Sequence, residues 1–425
     1  MAESFLLAWR ALVRGHVLTA LLALTTLAHV LLPAVVRSDG TAAGGQEMFL
    51  RVIPGSVYLL LCVALLACAC GLVAQARESH RLALAVVRPV SAGALVSGPL
   101  LALVAVAGLV LALNMGLTCA RGGWTDCRHV YEPVLDPPEK AAQQELEEFL
   151  QRVQSDPDVS AEYRKRVLEA PRHQLLSIFI GQEIDRYEAV HPGETLELPF
   201  PKEAAGAPSD TLVRIRFSTQ FNMRADLSGQ ITFGPWSAAV SNSTQSVIDI
   251  PLARTSAVGT DGPPKLVFRN TGSSLAMVRP RRDVQVLTPA DSFVLNMLRA
   301  SGEMLCVITF LCAFGLFLSA ALSRPVATFS AFVLLVVTEM APAVLEQFPE
   351  TLDTTFTEKI GLQLTRAVAY LTSALTKPQP VSDLATGTCV EWSALGSAAL
   401  VDAVLAPLVL LALAAYIVRR RVCQH

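Results

Sequence analysis

Cysteine is the residue type with most chemistry to offer here, and the chain holds nine. Cys62, Cys68, Cys70, Cys306 and Cys312 lie inside apolar runs, where a free cysteine behaves as a small hydrophobe. Cys68-Ala-Cys70 makes a poor metal pair, because positions two apart on a helix point about 200° from each other. Cys119 and Cys127 sit close together at the edge of a polar stretch and could form a disulfide in an oxidising compartment, with Cys389 as a competing partner. Cys423, in the basic tail, is expected to stay reduced. His129, His173 and His191 are too scattered to read as a ligand set, so no metal site is expected. The sequence contains no G-x-x-x-x-G-K-[ST] phosphate loop, no H-E-x-x-H, no G-x-S-x-G and no paired C-x-x-C. Hydrolytic or redox catalysis is therefore not expected, and no cofactor is expected in this chain.

Charged residues in apolar surroundings are the second signal. Asp402 interrupts the last apolar run, where a charge costs about 2.5–3.5 kcal/mol at the bilayer centre on insertion scales. It reads as facing a partner subunit or a pathway, or as reaching water from the outer third. Glu303 and Glu339 fall near helix ends and read as interfacial. Arg279-Pro280-Arg281-Arg282 reads as a solvated basic turn.

The elements that must carry these residues follow from composition. The 425 residues are 52% hydrophobic and only 16% charged, against about 45–50% and about 25% for a soluble domain. The net charge of −2 excludes a strongly basic nucleic-acid binder. Apolar runs of about 20 residues, long enough to cross the hydrocarbon layer, occur at Val17–Val36, Val57–Ala76, Ala94–Met115, Met304–Ser323, Pro325–Leu345 and Leu395–Val418. The expected fold is a polytopic α-helical membrane protein with six transmembrane helices. A large α+β extracytoplasmic domain lies between the third and fourth spans. Residues 1–115 hold an N-terminal helix and three spans, 116–297 the domain, and 298–425 the last three spans with an outer helical segment at 346–392.

Arginine placement gives orientation. Arg10, Arg14, Arg77, Arg81, Arg88, Arg324 and Arg419–Arg421 fall on one side if both termini are cytoplasmic. The opposite short loops hold Arg37, Arg51, Lys359, Arg366 and Lys377, spread more thinly. The expected location is the cell inner membrane, with an uncleaved first span. In the domain, Glu139–Gln154, Ser160–Glu169 and Gln174–Ala189 read as helices. Thr211–Thr219, Gln230–Phe233, Ser246–Pro251, Lys265–Phe268 and Asp283–Leu287 alternate as short strands of a sandwich-like unit. Outside the domain, Phe356, Ile360, Leu364, Val368 and Leu371 recur at helical spacing.

Two flanking pieces complete the pattern. Ser4–Arg14 puts Phe5, Leu6, Trp9, Leu12 and Val13 largely on one side and Arg10 and Arg14 on a cationic edge, the signature of an interfacial helix. The loop from Arg77 to Ser91 places Leu82, Ala85 and Val86 on one helical face, with Pro89 ending the helix.

This loop resembles the permease subunit of type-2 ABC transporters. That family carries a glutamate, a Leu-Leu-x-x-Pro-Val-Ser-like segment and a glycine ahead of the third span. Glu78, Leu84–Ser91 and Gly98 stand in those places here. Ser4–Arg14, the segment 356–376 and the basic tail match further family features, while Pro99 stands where the family often has lysine, and the domain is larger than in simple drug or polysaccharide exporters. The resemblance implies an exporter working by alternating access, with a second permease subunit and a separate ATPase subunit that holds ATP and Mg. It implies that the Arg77–Arg88 helix couples to that ATPase: Glu78 and Arg81 by polar contact, Leu82 and Val86 by packing, and Arg88 at its end. The alternative reading is a membrane-anchored sensor or scaffold whose domain binds a ligand or an envelope partner.

Overall fold

The computed structural model describes residues 2–35, 42–78, 92–156, 160–169, 172–206, 211–218, 226–234, 236–243, 247–251, 253–254, 264–347 and 380–422. It divides into two compact units. One is helical and contains the described residues of 1–127, 291–345 and 380–422; the other is α+β and contains those of 128–290. The chain is thus a multi-span helical membrane protein with a large extramembrane domain.

In the helical unit, α1 is Ala2–Arg14, α2 Val17–Val35, α3 Ala42–Glu78, α4 Ala92–Arg121, α8 Phe293–Ala321 and α9 Arg324–Gln347. Among the described residues five helices are long and apolar enough to cross a membrane: Val17–Val35, Gly45–Ala74, Gly93–Arg121, Phe293–Ala321 and Trp392–Arg420. This corrects the expectation of six. The segment read as a fifth span, Pro325–Leu345, is helical within α9 but does not join that set. Thr338, Glu339 and Pro342 interrupt its apolar run. The outer amphipathic segment at 346–392 lies mostly outside the described residues, which resume with α10 (Pro380–Thr386) and α11 (Trp392–Ala398). A seven-residue π-helical stretch, Ala399–Leu405, then joins α11 to α12 (Ala406–Val422).

The first helix ends because the chain turns at Gly15 and His16, the latter left-handed at φ 57°. Its buried side, Ala8 and Leu12, packs with partly buried Phe5 and Trp9, while Arg10 and Arg14 stay exposed. Gly98 admits this contact. A Cβ there would lie 2.6 Å from the Ser4 Cβ and 2.8 Å from the Phe5 nitrogen. Gly315 does the same where α8 crosses α3, its missing Cβ falling 2.8 Å from that of Ala69. Small residues at such crossings let helices approach through dispersion contacts, the main attraction available in lipid. Replacing Gly98 by Ala is therefore expected to lower the thermal midpoint in detergent. The same change at Gly108, which has open space around it, should raise stability by about 0.5–1 kcal/mol. Parallel melts of the two variants check the opposite signs.

The helices run between two ends. Phe49, Phe293, Met297 and Leu384 cluster at the end where the chain leaves for the domain. Gly71 and the Cys70 thiol approach Arg324 and Ala327 at the other.

The α+β unit holds α5 (Pro138–Ser155), α6 (Ala161–Glu169), α7 (Arg172–Ile184) and β1–β11. Its strands are Arg128–Tyr131, Glu188–Val190, Thr195–Pro199, Leu212–Arg216, Asp226–Phe233, Trp236–Ser243, Val247–Pro251, Ala253–Arg254, Lys265–Asn270, Ala276–Val278 and Val284–Pro289. They form a four-stranded sheet (β1-β11-β4-β7), a five-stranded sheet (β3-β9-β5-β6-β8) and the pair β10-β2, with antiparallel neighbours throughout. Val213, Ile215, Ile250 and Val286 from the first sheet share one core with Leu198, Ile231, Leu266 and Phe268 from the second. Alternation along β9 shows the cause: Leu266 and Phe268 face inward while Lys265 and Arg269 face out.

The basic run at 279–282 is a turn as its composition suggested, with Arg282 exposed, but its arginines are ion-paired rather than merely solvated. Arg279 grips the Asp283 carboxylate with Nε and Nη2 at 2.8 and 3.0 Å, and its own backbone N–H donates at 3.2 Å. Arg282 reaches Asp185 at 3.0 Å, and Arg281 donates to the Asp136 carbonyl. Because the Asp283 side chain is 3% exposed, Arg279→Ala strands a buried carboxylate, and a loss of about 3–5 kcal/mol is expected. The exposed pair Lys265–Glu197 should be worth only about 0–1 kcal/mol. Thermal unfolding of the two alanine variants at neutral pH separates these cases.

Candidate functional site

The polar residues of the helical unit gather at its domain-bearing end. Asn296, Arg299 and Glu303 recur at helical spacing on α8, whose start is capped by the Ser292 hydroxyl accepting from the Leu295 N–H at 3.4 Å. This stripe binds the loop ahead of the last span. Asn296 Nδ2 donates to the Thr388 carbonyl at 2.9 Å, and the Val390 N–H donates to Asn296 Oδ1 at 2.8 Å. Arg299 Nη1 donates to the Val390 carbonyl at 2.8 Å and Nη2 to Asp291 Oδ2 at 2.5 Å, with its guanidinium 5.2 Å from the Trp392 ring centre. The Arg299 side chain is 2% exposed, and its Nε has no hydrogen-bond partner. A buried arginine held this way fixes the loop to the helix and sets where the last span begins.

Asp291 also organises the cysteines. Cys127 donates to its carbonyl from both backbone nitrogen and thiol, at 3.0 and 3.2 Å. The Cys389 thiol lies 3.9 Å from its Oδ2. Burial pushes the Cys127 thiol up to about 12, with the hydrogen bond to Cys389 adding to the rise. Cys119, on α4, packs beside the Phe49 and Leu384 cluster. All three are free thiols. Nearby, Trp124 stacks on Phe293 at 5.1 Å and donates from its ring nitrogen to the Thr118 carbonyl at 2.8 Å.

Deeper along α8, Glu303 is 4% exposed, buried in the bundle rather than interfacial as its position near a helix end suggested. Its charged neighbours are Asp383 and Asp402. Asp383, on α10, is held above the ordinary carboxylate range by burial, an effect opposed by the Thr388 hydroxyl. Asp402 lies in the π-helical stretch, 2% exposed, and its Oδ1 has no hydrogen-bond partner. Glu303 and Asp402 are thus buried acids on two neighbouring helices, and Asp402 carries an unpartnered oxygen, an arrangement that could hold a proton. Among the described residues no group of three or more His, Cys, Asp and Glu could hold a metal ion.

Of the residues singled out from sequence, Asp402 enters this site. Trp9, Arg10 and Arg14 are on α1. Glu78 is the last residue of α3, while Arg81, Leu82, Val86 and Arg88 lie outside the described residues. Asn296 and Arg299 were missed. Their signal was available: three polar side chains on one stripe of an otherwise apolar helix.

A cleft at the same end, lined by Pro33, Met48, Phe49, Val52, Ile53 and Arg121, has a volume of about 210 Å³. That is smaller than ordinary ligand pockets of roughly 300–1,000 Å³. No family model, curated protein or solved structure matches the chain.

Proposed function

We propose that this protein is the permease subunit of an ATP-driven exporter of the type-2 ABC kind, working with a second permease subunit and a separate ATPase subunit. The observation that supports it best is the docking of α1 on α4 at Gly98. A helix locked to the foot of the third span forms a stiff platform through which a motor could move the spans. The buried polar cluster of α8 and the last span is what such a pathway needs at its far end. Arg10 and Arg14 ahead of the first span support a cytoplasmic N-terminus and, three spans on, an extracytoplasmic domain.

The test is purification from native membranes in mild detergent, with identification of co-purifying chains and an ATPase assay. A stoichiometric nucleotide-binding subunit with hydrolysis supports the permease. In that complex Glu78→Arg is expected to leave the protein inserted and assembled while abolishing the coupling of hydrolysis to transport. Recovery of the chain alone, or with envelope proteins and no hydrolysis, favours the sensor or scaffold instead.

A further inference from the structure

We infer that Cys127 and Cys389, not Cys119 and Cys127, are joined by a disulfide in the mature protein. Cys127 and Cys389 meet at Asp291, the Cys127 thiol 3.2 Å from its carbonyl and the Cys389 thiol 3.9 Å from its carboxylate. Neither is on a loose strand. The N–H of Cys127 is bonded to Asp291. Cys389 is flanked by Thr388 and Val390, whose backbones are held by Asn296 and Arg299. Cys119 belongs to the last turns of α4 and packs against apolar neighbours instead.

The exchange needs an oxidant, which is a protein disulfide of the dithiol–disulfide class in an oxidising compartment. Cys389 is partly exposed and Cys127 is 1% exposed, which sets the order. Cys389 loses its proton to solvent and attacks the oxidant disulfide, giving a mixed disulfide and one oxidant thiolate. Cys127 then loses its proton and attacks the Cys389 sulfur, expelling the second oxidant thiolate. Two thiols are oxidised to one disulfide, and one oxidant disulfide is reduced to two thiolates, which take up the two protons. The bond closes a loop around the whole α+β domain and α8, and fastens the start of the last span to the point where the chain enters the domain. Long closed loops gain most from such a restraint.

This inference rests on the extracytoplasmic placement of that end, so the experiment separates the two. The full chain is trapped with N-ethylmaleimide during non-reducing purification, digested and mapped by mass spectrometry. The expected result is a linked Cys127–Cys389 peptide that disappears on reduction, persists in Cys119→Ser and is lost in Cys389→Ser. A Cys119–Cys127 peptide, or three maleimide-labelled thiols, overturns it. If the thiols are labelled, reduced protein treated with diamide tells which premise failed. Rapid formation of the Cys127–Cys389 link means the pair is right and this end faces a reducing compartment. No link means the pairing itself is wrong.

Discussion

Asp402→Leu is expected to make the protein more stable and, on the permease reading proposed above, to stop transport. The Asp402 side chain is almost wholly buried in the last span, and one of its carboxylate oxygens has no partner. Charges at the middle of a span cost about 2.5–3.5 kcal/mol on insertion scales, and leucine fills a comparable space without that cost. The gain should appear as a higher thermal midpoint in detergent. On the permease reading function should move the other way, because Asp402 and Glu303 are buried acids close enough to act on each other electrostatically. The readouts are melting of the purified protein and coupled hydrolysis in the complex. A variant that melts lower would show that Asp402 has a structural partner. One that melts higher and works normally would remove it from the pathway.

Asp291 and Arg299 should respond unequally to truncation. The Arg299 side chain is 2% exposed, whereas that of Asp291 is 39% exposed. Asp291→Ala leaves a buried guanidinium with the Val390 carbonyl and the Trp392 ring as its remaining contacts, and a loss of about 3–5 kcal/mol is expected for a broken buried pair. Arg299→Met removes the buried charge and leaves a carboxylate that reaches water, so it should cost distinctly less. The double variant should resemble Arg299→Met alone, because the cost arises from the stranded cation. Equal losses in both single variants would contradict this account. Denaturant unfolding at neutral pH, with hydrogen exchange at residues 387–391, measures both the energy and its location.

How much of this could be read from the amino acids depends on the range of the interaction. Val17–Val35 and Phe293–Ala321 announce themselves because a run of apolar side chains is a local property. The domain strands β4, β7, β9 and β11 were legible from alternation, as were α5 and α6. Strands β1, β2 and β10 were not. Each has only three or four residues and exists because it pairs with a distant partner, as Arg128–Tyr131 does with Val286–Pro289. The polar site shows the same division. Asp402 is visible because it breaks an apolar run. Glu303 was placed near water because its burial depends on α10, which returns about eighty residues later. The basic run at 279–282 gave no hint that Asp185 and Asp283 would hold it.

The wide stretch at Ala399–Leu405 has a consequence for the rest of the last helix. Its closing hydrogen bond runs from the Ala406 N–H to the Val401 carbonyl, one residue beyond ordinary helical spacing. A regular helix carrying Asp402 inward would bring Leu405, Val409, Leu413 and Tyr416 round to the same side, yet these four are exposed. The buried positions beyond the wide stretch are Pro407, Ala414 and Val418, a stripe displaced by one place. The extra residue is a rotational offset of about 100°, built into the chain partway along. It lets one helix present an acid to its neighbours in its first half and a small, smooth alanine–valine seam in its second. Deleting Val401 would bring the two halves into phase and drive Leu413 and Tyr416 against a surface shaped for alanine.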